Sequence, residues 1–152
     1  MYFRKRFFEI IDEGYDPNHQ ALLRKFISQP CRQSFAQRAK EEGRSIAHKL
    51  VERKKIDFGN YQNCKDAYNE GYGISFDRDL GLQTKTIQTI CRFIQYRHGL
   101  IHSTPLQDWL NYYEPDKEKV IANKVTINEA IQSFSSLIKA VHKAALELKP
   151  TF

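Results

Sequence analysis

Apolar residues recur along this chain at steps of three and four, the period of a helix that buries one face. Phe3, Phe7, Ile10 and Ile11 follow that rhythm at the start, and Gly14 with Pro17 beyond it predicts a helix over Phe3 to Glu13. Ala21, Leu22, Leu23 and Phe26 predict a second helix from about Asn18, and Pro30 suits the first turn of a third. That third helix is expected to be long, from Cys31 to Lys55, with Phe35, Ala39, Ile46, Ala47 and Leu50 on one face and Gly43 weakening its middle. Ile56 to Gly59 interrupts the pattern. It resumes from Asn60 to about Glu70 with Tyr61, Cys64, Ala67 and Tyr68, after which Gly71, Gly73, Asp77, Asp79 and Gly81 predict a loop.

The clearest helix begins near Gln83 and runs through Ile87, Ile90, Cys91, Phe93, Ile94, Leu100 and Ile101, until Pro105 forces an end or a restart. Trp109 and Tyr112 suit a short helix after it. The last helix is expected to open on Thr126-Ile127-Asn128-Glu129, a capping-box pattern in which a hydroxyl and a carboxylate satisfy first-turn amides. Ile127, Ile131, Phe134, Ile138, Val141, Ala145 and Leu148 then predict a continuous apolar stripe along it. Alternating Val, Ile and Thr runs are missing, and the strand-like stretch Ile74 to Phe76 is too short to build a sheet. The fold class predicted is all-α, an irregular four-helix bundle with extra short helices, forming one domain over residues 1–152.

A 41 % hydrophobic and 28 % charged composition fits a globular chain with a well-hydrated exterior. The net charge of +6 includes local groups such as Arg4-Lys5-Arg6 and Arg53-Lys54-Lys55, so polyanions are plausible partners, although such a surface also serves solubility alone. Cys31, Cys64 and Cys91 are odd in number and widely spaced, which argues against a disulfide framework or a zinc knuckle and for reduced thiols. The basic N-terminus is followed by Glu9, Asp12 and Glu13, not by a secretory apolar stretch, and no apolar run approaches membrane-spanning length. A cytoplasmic location with no membrane contact is expected.

Chemistry concentrates near the end of the Gln83 helix. Ile87, Ile90, Ile94, Arg97 and Ile101 are separated by three, four, three and four residues, so a permanent cation takes a position otherwise given to core residues. Such an Arg is costly there unless it is paired, reaches a solvated cleft or meets an anion; a salt bridge or a snorkelling side chain is the plain structural explanation. His102 follows five residues later, about 140° round an ideal helix, so the two cannot share one narrow face. Either Gly99 bends the turn or the pair meets its symmetry mates across a dimer, the arrangement we favour. A cleft with two Arg and two His suffices for RNA cleavage without metal. The substrate's own 2′-hydroxyl attacks, His moves protons near neutral pH, and Arg donates to the phosphate as charge builds, leaving a 2′,3′-cyclic phosphate and a 5′-hydroxyl.

The segment from Ile87 to His102, ending in Arg97-His98-Gly99-Leu100-Ile101-His102, resembles the signature of the HEPN superfamily: Arg, a polar residue, several others, then His. The resemblance implies an α-helical bundle, frequent homodimers, and ribonuclease activity in toxin, antiphage or RNA-processing settings, with Arg and His of both subunits at the site. It makes Arg97 and His102 the catalytic pair and gives His98 the polar position, where it would orient substrate or a partner His. No cofactor and no metal are implied, while an antitoxin or regulatory partner would accompany a toxin role. Arg92 to His98 matches the bare spacing as well, but the later pair has the polar His98, a place near the end of the amphipathic helix and an apolar run before it. Thr104 stands where some toxin members have Tyr two residues after the His.

Other chemistries find less support. His98 and His102 are four apart, compatible with two metal ligands, but Gly99 occupies the place where a zinc protease needs Glu. His19, His48 and His142 stand alone in sequence and read as ordinary surface or satisfied residues, and Cys91, on the helical core, shows no base in its sequence pattern and reads as inert packing. Tyr2, Phe3, Phe7 and Phe8 around Arg4 and Arg6 could stack on bases, though a helix core explains most of them. The competing class is a non-catalytic helical RNA-binding or protein-interaction module in which Arg97 and His102 hold a ligand or a dimer interface.

Overall fold

A computed structural model of the chain describes residues 2–102 and 124–148, with the backbone alone described for 96–102 and 124–126. The described residues form seven α-helices and one 3-10 turn, with no strand, so the all-α class holds. Pro105, Trp109 and Tyr112, and the short helix expected around them, lie outside the described residues. The chain divides into two compact units, one of residues 1–81 with 141–152 and the other of residues 82–140.

In the first unit α1 (Tyr2–Asp12) buries Phe7 and Ile10, and α5 (Tyr61–Tyr72) meets it with Tyr68 and Tyr72. The Tyr68 hydroxyl donates to the Phe3 carbonyl at 2.8 Å and the Tyr72 hydroxyl to the Phe7 carbonyl at 2.7 Å. Each ring thus buries its body while its polar tip keeps a partner. Desolvation in this core pushes both phenols above their ordinary range.

Gly71, expected as a loop marker, instead lies inside α5. A Cβ there would stand 3.3 Å from a ring carbon of Phe7 and 3.5 Å from Pro17, so the missing side chain allows the close approach. The helix ends two residues later than expected because that packing holds its last turn in place.

Helix α2 (His19–Phe26) is capped by Asn18, whose side chain accepts from Ala21 N–H at 3.0 Å, and it packs against both α5 and α4 (Ile46–Glu52). Beyond it, Gln29–Cys31 form the 3-10 turn containing Pro30. The Arg32 guanidinium then bonds back to the Ile27 and Arg24 carbonyls, both at 2.9 Å, tying down the last turn of α2.

The expected long helix from Cys31 to Lys55 is two helices, α3 (Arg32–Glu41) and α4. Gly43 is left-handed at φ 62°, the Arg44 N–H closes on the Ala39 carbonyl at 2.9 Å, and Ser45 caps α4 by accepting from His48 N–H at 3.2 Å. A glycine C-cap followed at once by a serine N-cap outcompetes helix continuation, although the apolar spacing runs on through the break. The two short helices contact each other.

The second unit holds α6 (Thr84–His102) and the larger part of α7 (Lys124–Leu146). Helix α7 is already helical at Lys124, so Thr126 stands inside it and not at its cap. A Thr/Glu pair three apart marks a boundary only where the preceding backbone leaves the helix. The buried stripe is also displaced from the one expected. Ala130, Leu137, Val141 and Ala145 are buried, Phe134 and Ile138 half-buried, and Ile127 and Ile131 are 43 % and 59 % exposed. The two stripes overlap, sharing Val141 and Ala145, and their mean directions differ by only about 40°, so periodicity alone could not choose between them.

Candidate functional site

Helix α6 carries the motif. Its inward side is defined by Ile90, fully buried, with Ile87 and Ile94 half-buried and Thr89 buried beside them. The backbone stays α-helical from Thr84 through Gly99 to His102, so the glycine does not break the turn. Position 97, seven residues beyond Ile90, returns to within about 20° of it, whereas position 102 falls about 120° away from Ile90. On one chain, positions 97 and 102 remain about 140° apart, and positions 98 and 102 share a face. The side chains of Arg97, His98 and His102 lie outside the described residues.

Near the start of the same helix, a cavity of about 280 Å³ is lined by Thr86 and Thr89 of α6 and by Glu129, Ser133 and Ser136 of α7. Its lining is polar, with Lys85, Gln83 and Gln132 beside these residues and no His or Cys, and Thr86 is about 16 Å along the helix axis from Arg97. This cavity and the motif are therefore separate places on α6. Arg92, the alternative start of the motif, is exposed and lies over the ring of its neighbour Phe93 at 5.9 Å.

In the first unit, His19 and His48 do not stand alone. The His48 ring stacks on Phe8 with centroids 4.3 Å apart and shares a 2.8 Å hydrogen bond between its Nδ1 and the Ser45 hydroxyl. His19 is half-buried and its Nδ1 has no hydrogen-bond partner; desolvation holds its pKa below the usual imidazole value, with Asp16 pulling it up and His48 pushing it down. A neutral His19 follows at neutral pH. Among the described residues no group of three or more His, Cys, Asp or Glu is arranged to hold a metal ion.

In the aromatic-basic N-terminus, Phe7 and Arg6 are structural. Phe7 is buried among the rings of Phe8, Phe58, Tyr68 and Tyr72, and Arg6, only 4 % exposed, forms two hydrogen bonds to Glu13 at 2.5 and 3.0 Å. Neither is placed to stack on or bind an RNA strand. Of the three cysteines, Cys31 is exposed, Cys64 buried and Cys91 between them. Burial drives the Cys64 thiol far above its ordinary pKa, so it is an inert packing residue. No described helix is long and apolar enough to cross a membrane.

Set against protein-family models, curated proteins and solved structures, the chain matches none of them. The HEPN resemblance thus rests on the motif and its helical setting.

Proposed function

We propose that the chain is a metal-independent endoribonuclease of the HEPN kind, acting as a homodimer. The observation that supports this reading is the uninterrupted course of α6 through Arg97-His98-Gly99-Leu100-Ile101-His102. A straight helix keeps Arg97 and His102 on different sides of one chain, so a second copy is the economical way to bring an Arg and a His to the same phosphate.

In such a cleft one His102 takes the proton from the 2′-hydroxyl as its oxygen bonds to phosphorus. The bond from phosphorus to the 5′-oxygen breaks, and the imidazolium so formed on that His102 returns its proton to the leaving oxygen, so each phosphate needs one His102 and the Arg97 of the other copy. Arg97 donates its paired N–H groups to the phosphate oxygens, where negative charge is greatest in the transition state. His98, on the His102 side of the helix, orients the substrate or the partner's imidazole. The products are a 2′,3′-cyclic phosphate and a 5′-hydroxyl.

The test is cleavage of a panel of structured and unstructured RNAs with EDTA present, comparing the native chain with folded Arg97→Ala and His102→Ala variants. Native cleavage to cyclic-phosphate ends and a loss of about a hundredfold or more in both variants is the expected result. RNA binding without turnover by the native chain would replace this reading with the non-catalytic RNA-binding module.

A further inference from the structure

The break between α3 and α4 creates a second place suited to an anion. A cavity of about 380 Å³ in the first unit is lined by Cys31, Ser34, Phe35, Arg38, Lys49, Arg53 and Lys55, four of them cations and none acidic. Arg38 comes from the last turn of α3, Lys49 from α4, and Arg53 and Lys55 from the segment just after α4. Were residues 31–55 one continuous helix, Arg38 and Arg53 would be about 22 Å apart along its axis. The turn at Gly43 instead folds them onto one pocket.

Lys49 distinguishes this pocket from a scatter of surface charge. It is 1 % exposed and meets the Glu42 carboxylate, which it holds below the ordinary carboxyl pKa. An ammonium has three donors, and no hydrogen-bond acceptor among the described residues completes this one. Arg38, Arg53 and Lys55 form no close ion pair with a described residue; Glu42 meets Lys49, with Arg53 also drawing its carboxyl pKa down, and Glu52 meets Arg44. A buried ammonium met by one carboxylate, beside three exposed cations, leaves the pocket with an excess of positive charge that a multivalent oxyanion would complement.

We propose that this pocket binds a phosphate group, supplied by a free nucleotide or by an RNA strand. Arg38 and Arg53 offer planar forks matched to phosphate oxygens, Lys49 and Lys55 supply point charges, and the half-buried Phe35 ring gives an adjoining base a surface to stack on. This site is independent of Arg97 and His102. It requires neither catalysis nor a dimer.

The test uses the native chain and a fluorescein-labelled, 2′-O-methylated single-stranded RNA, which cannot undergo 2′-hydroxyl attack, so binding is read separately from any cleavage. Arg38 and Arg53 are both exposed, so the Arg38→Gln/Arg53→Gln variant keeps the fold, checked by circular dichroism. It is expected to weaken RNA binding about tenfold or more at fixed salt, while the Lys139→Gln/Lys143→Gln control on exposed α7 positions stays within about twofold. Competition by adenosine monophosphate identifies a free nucleotide as a sufficient source of the phosphate; competition by unlabelled RNA alone identifies the strand. In the native chain, bound ligand should also slow alkylation of Cys31, the exposed thiol in the pocket wall, read by mass spectrometry. Equal weakening by the control pair, an unchanged Cys31 alkylation rate at saturation, or no binding of either probe would overturn the proposal.

Discussion

Phe7 in the first unit and Leu137 in the second are both almost wholly buried, yet their surroundings differ in kind. Phe7 meets four aromatic rings, and its own carbonyl accepts from the hydroxyl of one of them. Shape and hydrogen bonding both constrain that site. Leu137 belongs to a narrower apolar row whose neighbours Ser133 and Ser136 line a polar cavity shared with Thr86 and Thr89. The first unit therefore has a dense core on which a surface site can be built, and the second has a helix with alternative apolar rows whose burial is decided by little. The motif proposed for catalysis sits on a helix of the second unit.

This contrast is sharpened first by truncation. Phe7→Ala should cost about 3–5 kcal/mol of unfolding free energy, and Leu137→Ala about 2–3 kcal/mol, measured by urea denaturation. Equal costs would mean that the two cores are equally constrained. A smaller effect concerns acid. Arg6 holds Glu13 below its ordinary value of 4.5, so the stability from this pair is fully present above about pH 4.5 and is lost as pH falls through the lower folded value. In Glu13→Gln that part of the acid limb should flatten, as monitored by the urea midpoint against pH; an unchanged limb would show that the pair contributes nothing. The smallest effect belongs to α7, where Ile131→Ser, at a 59 % exposed position, should shift stability by less than about 0.5 kcal/mol. A cost approaching that of Leu137→Ala would restore the apolar row expected from sequence.

The same contrast explains what could be read in advance. Helical class, the starts of α2 and α5 near Asn18 and Asn60, and the inward faces of α1, α2 and α5 follow from local chemistry and three-four spacing. Local chemistry also held the α3–α4 break in Gly43 and Ser45, but the continuing apolar pattern masked it. Gly71 was legible as special only once Phe7 was seen against it. On α7 two neighbouring rows were both apolar, and only tertiary packing separated them. On α6 the inward placing of Ile87, Ile90 and Ile94 was legible from their spacing, while the side chains of Arg97 and His102 lie outside the described residues. The basic pocket was not legible, because its cations come from both sides of an unexpected turn, and the buried state of Lys49 leaves no mark in a chain rich in lysine.

The central claim is that Arg97 and His102 act together from two copies of one helix. Its most direct measurement mixes the Arg97→Ala and His102→Ala chains after partial unfolding and joint refolding, then assays RNA cleavage in EDTA. Random pairing makes half the dimers mixed, each with one intact Arg–His site of two, so about a quarter of native activity should return from two inactive parents. A mixture that forms mixed dimers yet stays as inactive as either parent would contradict a site shared between chains.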